Sequence, residues 1–69
     1  MKAIDKAVEF FGTQRAMAEK IGTSQAFVSQ WVTGQRPIPP KFCLRIERET
    51  AGKVTAAQLL PEVFGTDAA

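Results

Sequence analysis

Two glutamines, Gln25 and Gln30, stand five positions apart in the stretch Ser-Gln-Ala-Phe-Val-Ser-Gln-Trp. A primary amide carries a donor and an acceptor side by side, the arrangement that pairs bidentately with N6 and N7 of an adenine in the major groove of a duplex. Ala26 and Phe27 offer apolar surface of the kind that lies against a thymine methyl, and Ser29 completes the same candidate base-reading set. Cations and amides suited to phosphate surround it: Gln14, Arg15, Lys20, Arg36 and Lys41, with Ser24 and Thr33 at the two ends of the stretch. All these residue types are also common on ordinary helix surface, so the reading depends on what positions them.

The elements that must do so lie between Thr13 and Gly34, in TQRAMAEKIGTSQAFVSQWVTG. Thr13 caps a helix from Gln14 to Ile21. A small residue at Ala18 admits a second helix crossing close by, and Gly22 can take the left-handed conformation that ends a helix at no Cβ cost. Thr23 or Ser24 can cap the second helix; Ser24 is preferred because Thr23 would point into the corner. That helix reaches Thr33, and Gly34 stops it. At about 100° per residue, Val28, Trp31 and Val32 share an inward sector, closing the corner over Met17, Ala18 and Ile21. Ala26, Ser29, Gln30 and Thr33 then point outward, with Gln25 and Phe27 at the borders.

The joint spacing is that of a helix-turn-helix spanning about residues 14–33, whose second helix presents its N-terminal part to base edges while amides at the start of the first meet phosphate. Gln14 is placed for a phosphate and also to brace Gln25. For Phe27 three uses stay open: a thymine, packing on Gln30 and Trp31, or a neighbouring subunit.

The rest of the chain is also helical, giving an all-α domain of five helices. Ile4, Ala7, Val8 and Phe11 recur at helical spacing in Lys2 to Phe11, which Gly12 stops. Pro37, Pro39 and Pro40 make an extended loop, and a fourth helix begins near Pro40 and reaches Thr50. It carries Cys43, Ile46 and Thr50 on one face, Phe42 beside them, and Arg45, Arg48 and Glu49 on a solvated face. Thr55-Ala-Ala-Gln58 has the form of a capping box, predicting a short fifth helix from Ala56 to Leu60 before Pro61. The tail from Gly65 to Ala69 is expected to be mobile.

Sixty-nine residues make one domain, 1–69, with a modest core. There is no His, and the single Cys43 has no second thiol, so neither a metal, a disulfide nor a cofactor is expected. Cys43 sits between Phe42 and Leu44, which favours a buried, inert thiol. The absence of a nucleophile and base pair, and of a Gly-rich phosphate loop, argues against an enzyme. No apolar run is long enough to span a bilayer, and Met-Lys-Ala-Ile-Asp lacks the apolar core of a signal peptide, so a soluble, cytoplasmic protein of a bacterial cell is expected. The net charge of +2 is unevenly spread. Lys2, Lys6, Arg15, Lys20, Arg36, Lys41 and Arg45 outnumber Asp5, Glu9 and Glu19 up to residue 46, and the balance reverses after it.

The segments Phe-Gly-Thr-Gln-Arg-Ala (11–16), Val-Ser-Gln-Trp (28–31), Arg-Ile-Glu-Arg-Glu-Thr-Ala-Gly-Lys-Val-Thr (45–55) and Leu-Leu-Pro-Glu-Val-Phe (59–64) resemble phage Cro repressors of the all-helical kind and the YdaS-like proteins, a group linked to antitoxin function. The resemblance covers about residues 4–64. It implies a lambda-repressor-like five-helix domain, double-stranded operator DNA as ligand and a transcriptional repressor role, often as a dimer. The family's DNA contacts fall on Gln14, Ser24, Gln25, Ala26, Ser29 and Gln30, and Phe27 departs from it by being bulkier than the small residue expected there. A competing class is a protein-interaction module that neutralises a toxin by contact.

A homodimer, formed either in free solution or only on DNA, follows from chain economy, since one recognition helix reads only about four or five base pairs. Val54, Leu59, Leu60, Val63 and Phe64 have two uses open to them. They fold back over the first and fourth helices to finish the core, favoured for Leu59 and Phe64, or some form a contact between subunits.

Overall fold

Each of the first four helices is cut out of the chain by a local signal at one or both ends. In the computed structural model, which describes residues 2–65, α1 is Ala3–Phe11, α2 Gln14–Ile21, α3 Gln25–Thr33 and α4 Pro40–Glu49. Thr13 Oγ1 accepts from Ala16 N at 3.0 Å and Ser24 Oγ from Phe27 N at 3.2 Å, each satisfying an amide that the helix itself leaves unpaired. Ser24, not Thr23, is thus the cap of α3. Gly22, at φ 84° and ψ 38°, is left-handed, and its N–H and that of Thr23 both donate to Ala18 O at 2.9 Å. A side chain there would be strained, whereas glycine reverses the chain within one residue.

Burial selects one face of each of the first four helices. Ile4 and Ala7 of α1, Met17, Ala18 and Ile21 of α2, Val28 and Trp31 of α3, and Cys43 and Ile46 of α4 form a single core, joined by Ile38, Val54, Ala56 and Leu60. Val32 packs against it half-buried, so the inward sector expected of α3 is the observed one. The expectation for α4 holds for Cys43, Ile46 and Thr50, all fully buried. It is corrected for Arg45 and Glu49, which are half-buried rather than freely solvated. Arg45 Nε donates to Glu49 Oε2 at 3.0 Å and its Nη2 to Lys20 O at 3.3 Å, so this side chain ties α4 to the C-terminal carbonyls of α2.

The region after α4 differs from the expected plan. α5 is Ala56–Leu59, opened by the expected capping box: Gln58 N donates to Thr55 Oγ1 at 3.1 Å and Thr55 N to Gln58 Oε1 at 3.2 Å. Pro61 does not merely stop this helix but starts another, α6 (Pro61–Phe64), because the ring's fixed φ and missing N–H suit a first helical turn. Among the described residues, six helical segments therefore replace the five expected. Leu60 is buried, and Leu59 and Phe64 pack half-buried against the core, the use favoured for both, while Val63 remains 56% exposed.

Thr50 anchors the connection from α4 to α5. Its hydroxyl accepts from Val54 N at 3.2 Å and reaches Glu47 O and Val54 O as donor, while Glu47 Oε1 accepts from Ala56 N at 2.6 Å. No helix of the described residues is long and apolar enough to cross a membrane. The expected mobility of the tail concerns chiefly residues 66–69, which lie outside the described residues.

Candidate nucleic-acid interface

α2 and α3 meet at the Gly22 corner, and their shared apolar side is closed by Met17, Ala18, Ile21, Val28 and Trp31. What remains outside is the polar side of α3. Gln25, Ala26 and Phe27, its first turn, are all exposed, as is Thr33 at its end. Ser29 and Gln30 are half-buried, a correction to the outward placement of both. The Gln30 side-chain oxygen is wholly buried and has no hydrogen-bond partner. An amide acceptor withdrawn from water without a partner costs free energy.

The residues expected at phosphates are spread over three elements. Gln14 is half-buried at the first position of α2, where the amides of the first turn point outward. Arg15 and Lys20 are exposed on the same helix, and Arg15 Nε lies 3.5 Å from Glu19 Oε2 in an exposed pair. An ion pair in that much water contributes little and yields readily to a competing anion. Arg36 is exposed in the α3–α4 loop and Lys41 at the second position of α4, its Nζ 5.2 Å from the Phe42 ring centre. The Ser24 hydroxyl accepts from a backbone amide and retains its own proton for donation. That of Thr33 donates to Gln30 O at 3.3 Å and must give up this bond to serve a phosphate.

Two features were not anticipated from the residues alone. One is the Arg45 tether to Lys20 O, whose only sequence trace is the i,i+4 spacing of Arg45 and Glu49. The other is an apolar hollow of about 240 Å³ where Phe27 and Trp31 face Phe42 and the proline loop. Cys43, behind the interface, is fully buried, and its thiol faces Ile38 O at 3.6 Å. Burial pushes its pKa up to about 11, which keeps it protonated and unreactive.

This architecture, a small helical bundle built on a capped α2–α3 corner, is of the helix-turn-helix class. A family model described as Bacterial toxin YdaS matches residues 4–68, and the chain belongs to the YdaS family. It is 40% identical over 58 residues to YdaS of Escherichia coli (strain K12), named as a candidate transcriptional regulator; the match covers 84% of this chain but 59% of that protein's length. To the regulatory protein Cro of Salmonella phage P22 it is 49% identical over 45 residues, 65% of this chain and 69% of Cro. Among solved structures, the Cro protein of prophage element Xfaso 1 in Xylella fastidiosa strain Ann-1 superposes with a TM-score of 0.85 at 39% identity, covering 96% of this chain and all of that one.

Proposed function

We propose that this chain is a sequence-specific, double-stranded-DNA-binding transcriptional repressor of the Cro type that lays α3 in the major groove. The observation that carries the reading is the exposed first turn of α3, Gln25, Ala26 and Phe27, held at the end of a corner whose other side is sealed in the core. Gln25 and Gln30 read adenines through their amides, with Ala26, Phe27 and Ser29 completing the face. Gln14, Arg15, Lys20, Ser24, Thr33, Arg36 and Lys41, with the amides at the start of α2, hold phosphates and fix the register. Two copies occupy operator half-sites about one helical turn apart, inside the bacterial cell.

Counterion release supplies the test. About four to six phosphate contacts per subunit give a log–log slope of affinity against salt of about −4 to −5. A slope near zero on any duplex contradicts the reading. That outcome would favour a second reading, supported by the family's description as a toxin, in which the chain acts by contact with a partner protein.

A further inference from the structure

The exposed ring of Phe27 has no place in the helix-turn-helix core, and it does not stand alone in solvent. It is 48% exposed and forms one wall of the hollow of about 240 Å³, with Trp31 and Phe42 at the back, Pro37 and Pro39 along the loop side and Arg36 also lining it. Trp31 and Phe42 are in ring contact, their centroids 5.4 Å apart, so the back of the hollow is fixed by the core. The lining is apolar apart from one exposed guanidinium, and the hollow adjoins the same helical turn that carries Gln25 and Ala26.

We infer that this hollow is a pocket for a 5-methylpyrimidine nucleotide of the bound duplex, the methyl lying on Phe27 and the adjoining phosphate on Arg36. The inference rests on the DNA-binding reading and adds a base preference to it. In a duplex the C5 edge of a pyrimidine lies on the backbone side of the major groove, so its methyl group and its own 5′ phosphate are neighbours. A site for both must place apolar surface beside a cation, at the edge of the recognition helix rather than at its centre. Phe27 and Arg36 meet that requirement, one at the border of α3 and the other in the loop that follows it. The remaining volume, walled by prolines and aromatic rings, suits the apolar edge of the deoxyribose. Removing such a methyl from water is favourable, and cytosine or uracil in the same position forgoes it.

The probe is a duplex recovered by selection from random sequence, in which each thymine in turn is replaced by deoxyuridine, a change that removes only the methyl. With the unaltered protein, replacement at one position of each half-site is expected to weaken binding about three- to tenfold. Phe27→Ala is expected to abolish that difference at the same position, while Arg36→Gln weakens thymine and deoxyuridine duplexes alike. The scan with unaltered protein does not depend on any variant folding. Tolerance of deoxyuridine at every position overturns the pocket, as does an unchanged thymine preference in folded Phe27→Ala. A Phe27→Ala effect confined to the number of copies bound per duplex assigns the hollow to a contact between subunits and likewise overturns it. Selective binding that ignores the methyl leaves base reading standing and removes only the pocket; binding that prefers no sequence removes both.

Discussion

The indole of Trp31 on α3 and the ring of Phe42 on α4 lie 5.4 Å apart between centroids, inclined at 45°. Trp31 is 5% exposed, and it joins the core that closes the corner with α2 while its ring meets α4 through Phe42. Truncating a buried aromatic costs about 3–5 kcal/mol. A chain of this length has a total stability of only about 3–10 kcal/mol. Trp31→Ala is therefore expected to be largely unfolded at 37 °C, by far-ultraviolet circular dichroism through a urea titration. Native helicity and a native midpoint in that variant would contradict the placement of Trp31 in the core.

Thr50 offers a subtler test, because Thr50→Val preserves shape and removes only the hydroxyl. Val54 N would lose its acceptor in a site fully shielded from water. The expected loss is about 1–3 kcal/mol, read from the denaturant midpoint at unchanged slope. An unchanged midpoint would mean that the α4–α5 connection is not held by this bond.

Much of this structure was legible in the sequence, and what was legible is local. Thr13, Ser24 and the Thr55–Gln58 box announce helix starts, and Gly22 and Gly34 announce stops, because each signal acts within about one turn. Helical periodicity likewise separated the Val28, Trp31 and Val32 face from the exposed first turn of α3. The rest needed contacts between distant residues. Arg45 reaches Lys20 O across 25 positions, and the Phe27 hollow exists only once the proline loop folds back toward α3. Nothing in the spacing of Ser29 and Gln30 indicated that both are half-buried, since neighbours from elsewhere in the fold decide that. Pro61 reads as a stop because its neighbours alone do not distinguish the end of one helix from the start of the next.

Cys43 makes stability depend on alkaline pH. Its folded pKa is raised from 9.0 to about 11, chiefly by burial, so the folded state keeps a proton that the unfolded state releases. The contribution is fully present below pH 9 and is lost as pH rises through about 11, an effect of about 2–3 kcal/mol. Comparing denaturant midpoints of the parent and Cys43→Ala between pH 8 and 11 isolates it: the gap between them is expected to narrow as pH rises. A constant gap would show that the thiol does not titrate differently on unfolding.

Pairing of two copies is expected on DNA. With Leu59, Leu60 and Phe64 turned to the core, Val63 is the exposed apolar residue left on α6, which leaves little there for a strong contact in free solution. Sedimentation is expected to give a monomer alone and two copies per palindromic duplex. A strict one-to-one complex on a duplex with two half-sites, at saturating protein, would rule the dimer out.

If α3 reads bases, affinity for a selected operator exceeds affinity for a scrambled duplex of equal length at fixed salt, and the difference depends on its glutamines. Gln25→Ala and Gln30→Ala are each expected to lose about 1–3 kcal/mol on the operator with almost no change on the scrambled duplex, whereas Arg15→Ala weakens both alike. Equal discrimination by the parent protein and both glutamine variants would show that α3 does not read bases through Gln25 and Gln30.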